Sequence, residues 1–146
     1  MGGLGSPTLQ CSLVHEKTFT IPEARALLPR LSDLFEEMRR HRRALVRLTK
    51  HVDRARAAAD LGGGTPYGAA YLEHASAFAI AYETIGETGV VVKDIVAGLV
   101  DFPHEYEGRI VYLCWRFGEE SLEWWHEIED GFAGRQPLVD AVEKAN

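Results

Sequence analysis

Between Phe117 and Gly134 the chain reads "FGEESLEWWHEIEDGFAG", two tryptophans beside a histidine with six carboxylates around them. Histidine titrates near neutral pH and ligates metals as a neutral imidazole, so His126 is the first residue to weigh for chemistry. On a helical wheel drawn from Glu119 to Asp130, Trp124, Trp125, Ile128 and Phe132 share one side. Glu119, Glu123, His126, Glu127 and Asp130 share the other. The pattern predicts a short helix anchored by its tryptophans, with His126 among carboxylates on the opposite face. Glu123-x-x-His126 is a spacing that lets two side chains of one helix hold one metal. The candidate ligands for a divalent metal ion are therefore His126, Glu119 and Glu123. A di-metal bundle site needs a second such pair and further glutamates, which the chain does not offer. The alternative is a solvated acidic face that happens to carry a histidine.

Three further residues bear on chemistry. Asp101 lies in a strand-like run, where a carboxylate either makes local hydrogen bonds or orients a distant imidazole. If it meets His126, the two form a candidate catalytic acid–base pair. Arg135, in "GFAGRQPL", is a candidate ligand-binding residue for a carboxylate or phosphate through its planar fork, or else ties down its own loop through Glu119 or Asp130. His41 falls where a helix seam expects leucine, so it sets register or shares a metal with Glu37 one turn earlier. No nucleophile elbow, P-loop or dinucleotide fingerprint is present.

The elements that must position these residues follow from capping and period. In "TFTIPEARALL", Thr20 and Glu23 form a capping box, and Pro22 sits in the first turn. Apolar or small residues then recur at alternating steps of three and four from Ala24 to Ala55, a coiled-coil-like seam in which Pro29 is expected to kink the helix. "LGGGTPYG" ends it in a loose turn. Thr65 and Pro66 cap a second helix, with seam Tyr71, Ala75, Phe78, Tyr82 and Ile85. At 1.5 Å per residue the first helix is about 57 Å long and the second about 30 Å. An antiparallel hairpin thus leaves about 25 Å of apolar stripe to be covered, by the C-terminal half or by a second copy of the chain. After Gly89 the period changes. "VVVKDI", "GLVDF" and "RIVYLCWRF" read as strands, the last apolar on both faces like a central strand. "PHEYEG" reads as the hairpin loop, and Gly131 as the C-cap of the third helix.

Composition bounds the rest. At 146 residues and 46% hydrophobic, the chain has globular proportions. No apolar run approaches the roughly 20 residues of a membrane span. Residues 1–18 read as a flexible leader without a secretory signal, and 139–146 as a tail. Cys11 and Cys114 supply neither a disulfide framework nor metal-ligand spacing, which favours a reducing cytoplasm. Eight basic side chains against Asp53 give +7 between Arg39 and Arg56, leaving −13 elsewhere for a net −6. "RRHRR" spreads its arginines around the helix with no interleaved aromatics, so nucleic acid is not the expected partner.

The segments "GLVDFP", "GRIVYLCWRFGE" and "WWHEIEDGFAGRQPL" resemble a family of small bacterial proteins known as domain of unknown function 2203. Its pattern is matched at Asp101, Pro103, Trp115, Gly118, Glu119, His126, Gly131, Gly134, Arg135 and Pro137, over about residues 19–138. His104 and Glu123 do not belong to it. The resemblance implies a fold and no activity.

The expectation is an α+β fold: a long antiparallel helical hairpin (20–86), then a small antiparallel β-sheet and a short C-terminal helix (89–138), in a single domain 19–138. The functional expectation is a cytoplasmic binding module that forms a homodimer through the first helix, its acidic His126 face a candidate divalent-metal site. The alternative is a metal-dependent or acid–base enzyme centred on His126, Asp101 and Glu119.

Overall fold

A computed structural model of the protein describes residues 17–59 and 67–138. The expected leader up to residue 16, the glycine turn with its Thr65–Pro66 cap, and the tail from residue 139 lie outside them. Among the described residues two helices, α1 (Ile21–Ala59) and α2 (Gly68–Glu87), precede five strands. These are β1 (Val91–Asp94), β2 (Leu99–Tyr106), β3 (Arg109–Arg116), β4 (Trp124–His126) and β5 (Gln136–Pro137). The strands form one antiparallel sheet in sequence order, with β3 in the middle, so the fold class is α+β. No described helix is long and apolar enough to cross a membrane.

The chain divides into two compact units. One runs to Leu28 and resumes at Gly89; the other is Pro29–Thr88. The boundary thus falls inside α1, at its internal proline. In the first unit α1 begins as its sequence dictates. The Glu23 N–H donates to Thr20 Oγ1 and the Thr20 N–H to Glu23 Oε1, each at 3.2 Å, which satisfies two of the helix's otherwise orphan donors. Ile21, Ala24 and Leu28 are buried in this unit, and Leu31, Phe35 and Met38 in the other. In the helical unit α1 meets α2 at His41–His74, and its His51 ring lies against Tyr67, the residue that precedes α2.

The sheet is organised by its β2–β3 hairpin. "PHEYEG" is mostly strand rather than loop: β2 continues through Pro103 and His104 to Tyr106, and only Glu107 and Gly108 turn the chain. Both turn residues have positive φ, 50° and 75°, the twist that a two-residue hairpin requires. Pro103 is tolerated because it lies beyond the end of β1, where no ladder needs its missing N–H. Its carbonyl accepts the Phe19 N–H at 2.7 Å, while His104 Nδ1 meets the Phe19 carbonyl at 2.6 Å. These bonds and the edge-to-face Phe19–Phe102 pair hold the approach to α1 along the sheet.

The segment read as a third helix is corrected. Between Glu119 and Asp130 the only regular element is β4, paired to β3 through Cys114↔Trp124, Leu113↔Trp125 and Tyr112↔His126. Between Asp130 and Pro137 the one helical turn is the 3-10 turn at Phe132–Gly134. The wheel fails with the expected C-terminal helix: Trp124 and Trp125 point to opposite faces of the sheet, and Phe132 is exposed. The free edge of β3 offers backbone partners and, on both faces, apolar neighbours. That tertiary gain outweighs a helical period over so short a run.

Candidate metal centre

Residues directly opposite each other in an antiparallel ladder lie on the same face. Asp101 on β2 faces Cys114 on β3, and Tyr112 on β3 faces His126 on β4. The side chains of Asp101 and His126 therefore lean toward one another over the middle strand, with Cys114 on the strand between. His126 Nε2 stands 3.1 Å from both Asp101 carboxylate oxygens. All three residues are deeply buried, Asp101 at 1%, Cys114 at 0% and His126 at 2% exposure. One donor atom from each lies within 4.8 Å of the others.

The proton accounting at His126 is informative. Its Nδ1 lies 2.6 Å from the Glu127 carbonyl and its Nε2 against the carboxylate, so both ring nitrogens face acceptors. A neutral imidazole carries one N–H and can satisfy only one of them. Without a metal, two acceptors of this kind favour the imidazolium, which donates from both sides. Burial pushes the His126 pKa down, but the hydrogen bond and charge of Asp101 and the Glu127 carbonyl outweigh burial and nearby Lys93, holding it above the usual histidine range. Burial also pushes the Cys114 thiol up to about 12, Asp101 adding through its charge and a hydrogen bond while Arg135 opposes. A thiol so buried and so weakly acidic is not a nucleophile. Neither is a histidine with both nitrogens occupied a free base for an incoming substrate.

The same geometry suits a cation. Zinc at about 2.0–2.2 Å from nitrogen and oxygen and about 2.3 Å from sulfur, in tetrahedral array, spaces its donors about 3.3–3.6 Å apart. The three donors, within 4.8 Å of one another, have to draw together by up to about 1.2–1.5 Å to reach that. The second requirement is also met, because His126 Nδ1–H donates to the Glu127 carbonyl, which fixes the ring and leaves Nε2 as ligand.

Of the predicted ligands, only His126 is in this cluster. Glu119 instead accepts Arg135 Nη2 at 2.7 Å and the Arg116 N–H at 2.6 Å. Glu123 is exposed, its carbonyl receiving the Leu138 N–H. Glu127 pairs with Arg109, which lowers the Glu127 pKa. The common acidic face of the helical reading is thus dispersed, each carboxylate going its own way. Arg135 also donates to the Cys114 carbonyl at 3.2 Å and lies against the Trp124 and Phe132 rings. It ties the loop after β4 to the strand that carries Cys114.

A family model described as "Uncharacterized conserved protein (DUF2203)" matches residues 17–138. The chain belongs to the DUF2203 family. No curated protein and no solved structure matches it. Cys114 is the residue of this DUF2203 site that sequence reasoning missed, and a signal for it existed. Asp101 and Cys114 are each six residues from the Glu107–Gly108 turn, so a two-residue reading of that turn places them opposite one another.

Proposed function

We propose that this DUF2203 protein is a cytoplasmic binding module that holds one divalent metal ion, with zinc the best chemical match, between Asp101, Cys114 and His126. The observation that carries the reading is the convergence of carboxylate, thiol and imidazole donors from three adjacent strands to within 4.8 Å. Thiolate and imidazole together select zinc over magnesium or calcium, which prefer oxygen donors. An ion here cross-links β2, β3 and β4, and β4 is only three residues long. Its role is to hold the sheet together. Burial of all three donors favours that role over turnover by an acid–base enzyme centred on His126, Asp101 and Glu119.

The helical unit we read as an antiparallel hairpin that brings two copies together. Leu72 and Ile80 on α2 are 67% and 63% exposed and lie eight residues apart, about two turns on one face. The test of the metal reading is elemental analysis of protein purified without a histidine tag. About one zinc per chain in the wild type, lost in Cys114→Ser and His126→Gln, supports it; wild-type protein that neither retains nor takes up zinc refutes it.

A further inference from the structure

His41 on α1 and His74 on α2 meet inside the helical unit, with their Nδ1 atoms 2.9 Å apart and their rings tilted by 48°. Two nitrogen lone pairs do not face each other at that distance unaided; a proton or a metal ion must lie between them. Glu37, one turn before His41, places its carboxylate 3.8 Å from His41 Nε2. That charge favours the tautomer with hydrogen on Nε2, which leaves the His41 Nδ1 lone pair aimed at His74. At 3.8 Å this is a charge contact rather than a hydrogen bond, and it biases the ring toward the orientation in which a carboxylate backs a metal-ligating histidine. At the tetrahedral angle that zinc prefers, two nitrogens about 2.0–2.1 Å from one ion stand about 3.3–3.4 Å apart, so the pair has to open by only about 0.4–0.5 Å to chelate it. Metal sites in helical bundles are assembled in this way, from side chains on facing helices. The His41 side chain is 15% exposed, which allows water to complete a coordination shell.

We propose that His41 and His74 chelate one imidazole-favouring transition-metal ion across the helix pair, with Glu37 positioning His41 and water filling the remaining positions. This goes beyond the sheet site, which lies in the other unit and shares no residue with it. The basic run from Arg39 to Arg56 opposes a cation, so this site takes up added metal and does not retain it through dialysis.

The experiment is a zinc titration of the full chain, followed by calorimetry and by the histidine ring signals in NMR. The proposal expects a binding event beyond the sheet site's one equivalent, with the His41 and His74 signals shifting together over that step. His41→Ala and His74→Ala each remove the event, and Glu37→Gln weakens it about tenfold, the low end for an orienting carboxylate because Glu37 is half exposed. Asp101→Ala leaves it in place. If zinc leaves the His41 and His74 signals of the wild type unmoved, or if His74→Ala keeps the second event, the pair holds a shared proton only and the proposal fails. The wild-type signals decide this without any variant having to fold. Silence of the His126 signals alone strikes the sheet reading and spares this one.

Discussion

Replacing Asp101 with alanine removes the acceptor that faces His126 Nε2 at 3.1 Å and leaves a buried imidazolium with only the Glu127 carbonyl. In metal-free protein, kept so with a chelator, the cost has two parts. The gross attraction of opposite charges at that distance is about 5 kcal/mol at an effective dielectric near 20. Part of it is recovered because the alanine variant no longer has to desolvate the carboxylate. Breaking a buried pair from one side costs about 3–5 kcal/mol in practice. That is a large share of the roughly 5–15 kcal/mol by which a domain is stable. Urea unfolding at pH 7 reads it directly. With a slope of about 2 kcal/mol per molar, the midpoint should drop by about 1.5–2.5 M. His126→Ala should fall by a similar amount, and the double variant by less than the sum, by about 0.5–3 kcal/mol of coupling. The pH dependence has a definite sign. The His126 pKa is raised in the folded protein, so its stabilising contribution is present in full below the unfolded histidine value of about 6.5 and lost as pH rises through the folded value. The stability gap between wild type and His126→Gln should therefore narrow toward alkaline pH. A loss below about 1 kcal/mol in Asp101→Ala would refute the buried ion pair, because exposed pairs are worth that little.

Trp125 is 4% exposed in the core face of β4, so Trp125→Ala should cost about 3–5 kcal/mol, and Trp124→Ala, at the half-buried neighbour, clearly less; thermal melts rank the two. Gly98 has φ +72°, and a Cβ there would sit 2.5 Å from the Phe117 Cβ. Gly98→Ala should therefore cost about 1–3 kcal/mol, read as a lowered melting midpoint, with an unchanged midpoint meaning that the β1–β2 turn gives way freely. Light scattering at micromolar concentration should find a dimer, and Leu72→Glu with Ile80→Glu should yield a monomer of about 16.3 kDa. A monomeric wild type removes self-association from the account.

Much of this fold is written locally in the sequence. The Thr20–Glu23 capping box and the seam from Ala24 onward announce α1, because caps and periods act within a turn or two of the chain. The apolar run around Cys114 announces a central strand. The segment carrying the site is less legible. From Glu119 to Asp130 the residues have a helical period, yet the free edge of β3, which no local pattern encodes, draws Trp124–His126 into the sheet. The candidate site was legible in the same uneven way. Asp101 stands out as a carboxylate in an apolar run, and His126 as a histidine beside two tryptophans and among carboxylates. Their meeting depends on two ladder registers at once, and Cys114 looks like an ordinary core residue until the Glu107–Gly108 turn sets it opposite Asp101. Glu119 and Glu123 entered the predicted ligand set only through the wheel, and they leave it with the helix.

Zinc K-edge absorption on untagged protein, loaded and then dialysed against metal-free buffer, reads the ligands of the sheet site. With Asp101, Cys114 and His126 as ligands, the spectrum should fit one sulfur at about 2.3 Å with nitrogen and oxygen donors at about 2.0–2.2 Å. The sulfur shell should vanish in Cys114→Ser. Retained zinc with no sulfur in its shell would place the ion elsewhere and contradict the account.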